Sequence, residues 1–295
     1  MSTTPTKPVA PADAVIIPHY NDLPRLERCL EALMLNDIRD TEIVVVDNNS
    51  PVSLDDLCAS FPAVRFITEP EKGAAPARNR GVCETSAQRL FFIDADCVPA
   101  RDWLAVGREV ASRADLIGGR VDVFDETSPP RSGAEAFEAV FAFNFRRYIE
   151  VQGCSGAGNL LTRRDIFDEI GGFINGVSED REWTMRAVAH GYSLIYEDRL
   201  QVSHPARQDW PALRAKWRRT TSEGFQLNGT SPAKRLKWAI RALAMPASAV
   251  VHIPKVLRSD KLTSSGEVLR AIATLIRLRC QRMVWMLRQA AGGTI

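Results

Sequence analysis

Short apolar runs alternate with helical segments through the first hundred residues, and this alternation constrains the fold more than any other feature of the sequence. The apolar runs are Ala14–Pro18, Glu42–Asp47, Val64–Thr68 and Arg89–Asp94. The second run is continuous in its apolar residues, as a strand covered on both faces should be. Strands that alternate with helices form a parallel sheet joined by right-handed crossovers. The sequence therefore predicts an α/β domain with a mostly parallel sheet and helices on both faces.

Helices are predicted between these strands, and further elements follow them. The first helix, Pro24–Leu35, has Leu and Met at helical spacing and a proline near its first turn. The other expected elements are helices at 52–61, 74–86, 103–112, 134–148 and 164–170, strands at 115–124 and within 153–161, and a helix from Ser178 or Asp180 to about His190. Two of these expectations are specific. The strand at 115–124 is interrupted at Gly118 and Gly119, and 134–148 is one aromatic-rich helix.

Polar residues mark the ends of three of the predicted strands. His19 and Tyr20 follow the first strand, Asp47 ends the second, and Asp94-Ala95-Asp96 ends the fourth. In sheets of this kind, ligands bind at the carboxyl ends of the strands, so these residues are expected to converge on one edge. The loop after the first strand has no glycine to admit a pyrophosphate. This absence excludes a dinucleotide-binding domain of the NAD type.

Asp94 and Asp96 directly follow the apolar run of the fourth strand. Because side chains alternate along an extended chain, both carboxylates leave the backbone on the same side, with Cα atoms roughly 6–7 Å apart at ~3.3 Å per residue. Such a pair suits Mg²⁺ or Mn²⁺, which take one or two protein carboxylates together with phosphate oxygens. The alternative is a solvated turn, in which aspartate is common.

A second group of acids surrounds the predicted helix start near Ser178. Glu179, Asp180 and Glu182 either complement the positive N-terminus of that helix or form part of a site with the first pair of acids. In the second case their mutual repulsion favours a metal ion or raises the pKa of one carboxyl group. One of them is then a candidate general base.

Composition narrows the class of protein. The six cysteines include no Cys-x-x-Cys pair, which argues against a zinc site or a disulfide framework and favours the reducing cytoplasm. Apolar content of 45% with 25% charged residues is typical of a globular protein. Residues 1–12 are expected to form a disordered tail, and they have the pattern of neither a signal peptide nor a membrane span.

Charge is divided unevenly along the chain. Residues 1–206 hold 21 Lys and Arg against 32 Asp and Glu, a balance of −11. Residues 207–295 hold 17 against 4, a balance of +13. The expected organisation is therefore a catalytic α/β domain at 13–206 and a basic helical region at 207–295, each with its own kind of partner.

The basic region mixes Lys and Arg with Trp, Leu and Ile at 210–219, 234–241 and 272–287. This mixture is typical of helices that lie in a membrane interface, and no apolar run reaches the ~20 residues that cross a bilayer. We therefore expect these helices to lie on the anionic inner face of the cell membrane. The alternatives are a helical cap with a solvated basic face and a homodimer surface. Nucleic acid is a weaker alternative, because the acidic domain would repel it.

In their order along the chain, Pro18, Asp47, Asp94-Ala95-Asp96 and Glu179-Asp180 resemble the motifs of the family 2 glycosyltransferases of GT-A fold. The similarity runs from about Val15 to His204, and the segments 73–81 and 171–173 also resemble the family. It implies a Rossmann-like GT-A domain. It further implies an inverting transfer of one sugar from a nucleotide sugar, expected to be UDP-linked, to a hydroxyl of a saccharide or lipid-linked acceptor in cell-surface polysaccharide biosynthesis.

The same resemblance implies a role for each matching residue. The nucleotide pocket would contain Pro18, Asp47, Arg78 and Asp94, the Mn²⁺ or Mg²⁺ ion and the diphosphate would be held by Asp96 and His204, and the acceptor hydroxyl would be deprotonated by Asp180 in the motif that it shares with Glu179. The segment 213–219 is basic but lacks the Gln-x-x-Arg-Trp motif of processive polysaccharide synthases. A single sugar transfer is therefore favoured over chain extension.

Two other functions fit parts of the pattern. Haloacid dehalogenase phosphatases share an apolar strand followed by Asp-x-Asp, but their motif lies on the first strand of the fold, whereas three strand–helix units precede Asp94 here. A non-catalytic membrane-docking scaffold of the same fold is the second alternative. The intact acids at both motifs argue against it.

Overall fold

The computed structural model describes residues 11–295, so the first ten residues of the expected tail lie outside the described range. The strands are β1 (Asp13–His19), β2 (Thr41–Asp47), β3 (Val64–Thr68), β4 (Arg89–Ile93), β5 (Val98–Pro99), β6 (Leu116–Phe124), β7 (Asn159–Arg163) and β8 (Leu194–Pro205). The helices are α1 (Leu23–Leu33), α2 (Asp55–Ser60), α3 (Ala74–Cys83), α4 (Trp103–Val110), α5 (Gly133–Phe141), α6 (Phe145–Gln152), α7 (Arg164–Ile170), α8 (Glu179–Ala189), α9 (Trp210–Asn228), α10 (Pro232–Leu243), α11 (Met245–Leu257) and α12 (Ser265–Ala290).

The strands form one sheet in the order β3-β2-β1-β4-β7-β6-β8-β5. Strands β3, β2, β1 and β4 are parallel, as the alternation of strands and helices predicts. The pairings of β4 with β7, of β7 with β6 and of β8 with β5 are antiparallel. The α/β fold is confirmed, but the sheet is mixed rather than mostly parallel. Apolar runs identify strands without fixing their direction, and simple strand–helix alternation ends after β4.

The apolar stripe of α1 shows how sequence spacing becomes packing in the first half of the sheet. Leu26, Leu30 and Leu33 recur along one side of α1 and are fully buried. The middle of β1 and of β4 is also inaccessible to solvent, as expected for strands with helices on both faces. This rigid centre holds the carboxyl ends of β2, β1 and β4 side by side.

Gly118 and Gly119 lie within an unbroken β6, so the predicted interruption of this strand is wrong. A Cβ atom on Gly119 would lie 2.1 Å from the carbonyl oxygen of Leu200 and 2.2 Å from Nδ2 of Asn159. The buried Asn159 amide donates to the carbonyls of Arg120 and Leu200 and accepts from the Trp103 indole. The glycines therefore admit a close contact between packed elements, and they do not end the strand.

The single aromatic-rich helix predicted at 134–148 is two helices, α5 and α6. Ala142 has an extended backbone, and Phe143 has a φ of 47°, in the left-handed region. The Phe143 ring packs 4.7 Å from the His204 ring and 4.3 Å from Nζ of Lys216. These tertiary contacts favour the break over the local helical preference of the segment.

The described chain divides into two compact units. The first contains residues 11–122 and 145–203, and the second contains 123–144 and 204–295. This division differs from the sequence-based boundaries at 13–206 and 207–295, because α5 buries Ala134, Ala136 and Phe137 in a cluster with residues of α9, α11 and α12. Residue 12, the last of the expected tail, is already part of the first unit: the backbone of Ala12 is hydrogen-bonded to the backbone of Asp40 and of Arg89. Residues distant in sequence thus complete each unit.

The second unit is built mainly of helices, as the mixture of basic and apolar residues after residue 206 predicts. Its larger cluster includes Leu213, Val256 and Leu275, and its smaller one contains Trp238, Ala242, Met245 and Met286. Within residues 11–295, no single helix is both long and apolar enough to cross a bilayer. Helices α10 and α11 meet that requirement only as a pair, with a bend of 48° at their junction.

Candidate active site

The parallel strands bring the predicted polar residues to one edge of the sheet. In the pairing of β1 with β2, His19 lies opposite Asp47. In the pairing of β1 with β4, Ile16 lies opposite Phe92, so that Asp94 follows two residues later at the same edge. The structure therefore confirms that the second and fourth strand ends lie on either side of the first.

Arg78 of α3 connects the two acidic motifs of the sequence. Its buried guanidinium donates from Nη2 to Asp94 Oδ1 at 2.6 Å and from Nη1 to Glu179 Oε1 at 2.8 Å. Burial alone would lower the pKa of Arg78, but the charges of Asp94, Glu179 and Asp180 outweigh it and raise that pKa above its usual range. The arginine is consequently a fixed positive charge among acids that are otherwise mutually repulsive.

Asp180 lies in the first turn of α8, beside this network. Burial and the charge of Glu179 raise the pKa of its carboxyl group, while the positive charge of Arg78 opposes the shift. Its Oδ1 atom accepts a hydrogen bond of 2.7 Å from the backbone N–H of Arg181. Ser178 occupies the N-cap position of α8 but makes no side-chain cap hydrogen bond. A partly buried carboxylate with a raised pKa is a stronger base than an exposed one, which suits it to removing a proton.

Two glycines that the sequence reasoning did not select make room for these acids. A Cβ atom on Gly158 would lie 2.7 Å from Asp94 Oδ2, and one on Gly156 would lie 3.3 Å from Asp180 Oδ2. Both glycines come from the segment just before β7, where small residues are concentrated. That concentration was the available sequence signal, because a run of small residues often marks a close approach.

Asp47 is held in place by hydrogen bonds with His19 and Ser50 that the sequence reasoning did not predict. Its Oδ1 atom lies 2.9 Å from Nδ1 of His19 and 2.5 Å from the Ser50 hydroxyl, and Oδ2 accepts the backbone N–H of Ser50 at 2.9 Å. Nε2 of His19 accepts from the backbone N–H of Asp22, so the ring proton is on Nδ1 and is donated to Asp47. The carboxylate is thus oriented before any ligand arrives.

The Asp94–Asp96 motif has the donor geometry of a metal site. One ligand atom each from Asp94, Asp96 and Cys97 lies within 4.8 Å of the others. Burial and the two neighbouring carboxylates raise the pKa of the Cys97 thiol well above its ordinary value, and sulfur is in any case too soft a ligand for Mg²⁺ or Mn²⁺. The effective donors are hard carboxylate oxygens, which fit Mg²⁺ or Mn²⁺.

The remaining predicted site residues are distributed over both units. Pro18 is in β1, opposite Val46. His204 lies near the end of β8, in the second unit, where its Nδ1 atom is 2.7 Å from the carbonyl oxygen of Pro205. The assignment of His204 to the metal, and of Pro18, Asp47, Arg78 and Asp94 to the nucleotide, stays a prediction.

Comparison with known proteins identifies the family. Residues 14–171 match the family described as Glycosyl transferase family 2. The chain belongs to the family 2 glycosyltransferases. One relative, the glycosyltransferase AglE of Haloferax volcanii, is 30% identical over 70% of this chain and 71% of its own length. The pre-mycofactocin glycosyltransferase of Mycobacterium tuberculosis is 27% identical over 68% of this chain but only 45% of its own length.

Solved structures confirm the GT-A fold of this glycosyltransferase. A mannosyltransferase from Pyrobaculum calidifontis, solved with GDP-Man and Mn²⁺, aligns with a TM-score of 0.57 at 18% identity, covering 98% of this chain and 77% of the neighbour. TarS from S. aureus, solved with UDP-GlcNAc, aligns with a TM-score of 0.54 at 16% identity, covering 90% and 72%. The comparisons favour neither the phosphatase nor the non-catalytic scaffold that the sequence left open.

Proposed function

We propose that this glycosyltransferase moves one sugar, with inversion, from a UDP-linked donor to a hydroxyl of a saccharide or lipid-linked acceptor in cell-surface polysaccharide biosynthesis. The observation that carries the proposal is the network in which the buried Arg78 joins Asp94 of the strand-end motif to Glu179 of the second acidic motif. It couples a candidate donor site to a candidate general base. The donor diphosphate and the acceptor hydroxyl therefore meet at one edge of the sheet.

Asp94 and Asp96 are proposed to hold Mn²⁺ or Mg²⁺. When bound, such an ion stabilises the negative charge of the leaving diphosphate as a Lewis acid. The fit rests on the two carboxylates at 4.8 Å or less, and it agrees with the Mn²⁺ in the mannosyltransferase structure.

Asp180 is proposed to be the general base. The acceptor oxygen attacks the anomeric carbon of the donor, the bond from that carbon to the diphosphate oxygen breaks, and the diphosphate leaves with the electron pair. The hydroxyl proton passes to the carboxylate of Asp180. Arg78 fixes Glu179 next to this base, and the charge of Glu179 raises the pKa of Asp180 so that it accepts the proton more readily.

Asp47 is proposed to read the nucleotide base. Its Oδ1 atom already accepts from His19 and Ser50, while Oδ2 accepts one backbone N–H, which leaves an acceptor lone pair on Oδ2 for the imide N–H of uracil. Neighbouring structures contain UDP-GlcNAc in one case and GDP-Man in another, and the guanine ring also carries an N–H donor. The donor test must therefore include both nucleotides.

The second unit is proposed to lie on the inner face of the cell membrane. Leu236, Ile240 and Leu243 recur along one side of α10 and are exposed by 63%, 61% and 64%. The same helix carries Lys234, Arg235, Lys237 and Arg241. An exposed apolar stripe with flanking cations binds anionic lipid surfaces, each Lys or Arg near the surface contributing about 1 kcal/mol.

A donor screen tests the proposed chemistry. We expect binding of a UDP-sugar by calorimetry in the presence of Mn²⁺, and slow release of UDP. Asp96→Ala should abolish the metal-dependent part of this binding, because it removes one of few protein carboxylates from the ion. Asp56→Ala, an exposed aspartate of α2, is the matched control and should bind like the wild type. Unchanged affinity in Asp96→Ala, or a preference for GDP-sugars, would overturn the corresponding part of the proposal.

Vesicle co-sedimentation tests the membrane surface. The wild type is expected to bind vesicles that contain both phosphatidylglycerol and phosphatidylcholine, and high salt should release it. It should not bind vesicles of phosphatidylcholine alone. Replacing Leu236, Ile240 and Leu243 by serine should remove the binding. A control with serine at the exposed Leu35, Val52 and Val151 of the first unit should retain it. Equal binding to neutral vesicles, or a stable dimer that only the first triple variant dissociates, would favour the alternatives instead.

A further inference from the structure

Three arginine side chains converge in the second unit, which contains neither of the acidic motifs of the sequence. Arg241 lies on α10, and Arg279 and Arg282 lie on α12. Arg279 contacts the sulfur of Met245 from Nη1 at 3.9 Å, and Arg241 lies over Trp238, so both border the cluster of Trp238, Met245 and Met286. We refer to Arg241, Arg279 and Arg282 as the arginine triad.

The triad has aromatic and hydroxyl neighbours where ion pairs would be expected. The guanidinium of Arg282 lies 4.5 Å from the centre of the Trp217 ring, and its Nε atom is 3.3 Å from the Thr221 hydroxyl. The Nε atom of Arg279 is fully buried and has no hydrogen-bond partner among residues 11–295. Within the same range, no carboxylate forms an ion pair with a member of the triad. Three positive charges therefore share a partly buried volume without a counter-charge.

The three positive charges of the triad repel one another, and this repulsion lowers pKa values within it. Burial, followed by the charges of Arg279 and Arg241, lowers the pKa of Arg282 to about 9, and burial with the charge of Arg241 also lowers the pKa of Arg279. Acidic side chains are scarce nearby, because residues 207–295 contain only four. Of the acids in this unit, Glu138 is engaged with Lys216 and Arg207, and Glu267 with Arg131. Among residues 11–295, no carboxylate therefore neutralises the triad through an ion pair.

We propose that the arginine triad binds a phosphate group. Each guanidinium presents a planar fork of N–H donors that matches phosphate oxygens, and a phosphate has enough acceptor oxygens to serve three forks, whereas a carboxylate has two oxygens. Trp217, Thr221 and Met245 hold the side chains in place before the anion arrives, which lowers the entropic cost of binding. This site is separate from the donor diphosphate site of the first unit in residues and in metal requirement.

Two kinds of molecule present a phosphate group to such a site. A phospholipid headgroup is one, since Arg241 is adjacent in sequence to the exposed Ile240 of the α10 stripe. A phosphate on a soluble molecule is the other. The chemistry of recognition is the same in both cases, and the experiment separates them.

Calorimetric titration with inorganic phosphate tests the site. The titration uses the full-length chain at constant ionic strength set with sodium chloride, and EDTA keeps divalent ions from Asp94 and Asp96. The wild type should show saturable binding. Arg279→Gln should bind at least about tenfold more weakly, because the loss of a charge-assisted hydrogen bond exceeds the factor of ten that about 1.4 kcal/mol represents. Arg258→Gln, which removes the same charge from an exposed position, should bind like the wild type.

A second variant distinguishes loss of the phosphate site from loss of folding. Arg241→Gln removes a more exposed member of the triad, and circular dichroism establishes that both variants are folded. At the same concentration, phosphate should raise the melting temperature of the wild type and of Arg258→Gln by more than that of either triad variant. Absence of saturable binding in the wild type, or equal affinity in folded Arg279→Gln and wild type, would overturn the proposal.

Vesicles identify the source of the phosphate. With vesicles of phosphatidylglycerol and phosphatidylcholine, a lipid source requires Arg279→Gln to bind more weakly than Arg258→Gln. A soluble source requires the two variants to bind the vesicles equally while only Arg279→Gln loses inorganic phosphate. Both vesicle results support the site and decide which molecule carries the anion.

Discussion

Arg78 in the first unit and Arg282 in the second are both shielded guanidinium groups, but they have opposite surroundings. Arg78 lies within 2.8 Å of carboxylate oxygens from both Asp94 and Glu179. Arg282 faces the Trp217 ring, the Thr221 hydroxyl and two further arginines. The negative charges raise the pKa of Arg78 against the effect of burial, whereas burial and like charges lower that of Arg282 to about 9.

This difference separates two uses of buried charge. In the first unit, the charges are matched inside the protein, so that Asp180 and the Asp94–Asp96 pair are fixed relative to each other before substrates bind. In the second unit, the positive charge of the arginine triad is unmatched inside the described chain and is available to a partner from outside. The comparison predicts that removing a charge has a large effect in the first unit and a small one in the second.

The largest effect is expected from Asp180→Asn. The substitution keeps the shape of the side chain but removes the base, and general-base catalysis typically supplies ~10²–10⁴-fold. We expect kcat to fall by about that factor while the affinity for the donor is retained. Turnover measured with the donor and acceptor identified by the screen, beside calorimetry with the donor alone, checks both parts. Wild-type turnover in this variant would remove Asp180 from the mechanism.

The next largest effect is expected from Arg78→Met. Removing one partner of a buried ion pair typically costs 3–5 kcal/mol, and we expect about 3 kcal/mol because Asp94 and Glu179 retain access to water. Urea unfolding gives the change in the free energy of unfolding. The control is Arg39→Met, whose ion pair with Asp37 is exposed to solvent, so its loss should change the free energy of unfolding far less. Similar losses in the two variants would mean that Arg78 is not a central charge.

Glu179→Gln tests whether the charge of Glu179 raises the pKa of the proposed general base, Asp180. Asp180 acts only when deprotonated, so activity declines as the pH falls through its raised pKa. The charge of Glu179 contributes to that rise, and its removal should lower the pKa of Asp180 and move the acid limb of the kcat profile to lower pH. The pH dependence of kcat in wild type and variant measures this shift. A limb that stays in place, or moves to higher pH, would contradict the proposed role of Glu179.

The smallest effect is expected from Arg282→Met. The lost contact with Trp217 is a cation–π interaction, worth ~0.5–2 kcal/mol, and relief of repulsion from Arg279 and Arg241 offsets it. In phosphate-free buffer we expect the free energy of unfolding to change by less than about 1 kcal/mol in either direction. Urea unfolding alongside Arg78→Met makes the comparison direct. A loss as large as that of Arg78→Met would show that Arg282 has a strong partner within the chain.

Much of the first unit followed from its sequence. Strand β3 and helix α7 have the predicted bounds, because an apolar run identifies β3 and Gly171-Gly172 end α7. The candidate site was also found at the correct edge, since strand ends carrying Asp47, Asp94 and Asp96 must meet when their strands are parallel neighbours. Local patterns of burial and polarity were sufficient for these features.

The charge network was not predictable in the same way. Arg78 is 16 residues from Asp94 and 101 residues from Glu179, and no periodicity relates them. The resemblance assigned Arg78 to the nucleotide pocket, while the structure shows it bridging two acids. Gly156, Gly158 and Ser50, and the hydrogen bond of His19 with Asp47, were not predicted for the same reason, because each acts through a contact that only the folded chain creates.

The sequence by itself therefore determined the α/β fold, the family and the concentration of positive charge after residue 206, because these depend on local periodicity, short motifs and composition. Tertiary structure alone decided the antiparallel β7, the break at Phe143, the transfer of α5 to the second unit and the meeting of three arginines. These features depend on which surfaces pack together. A contact between distant residues can outweigh a local preference of a few tenths of a kcal/mol to about 1 kcal/mol per residue.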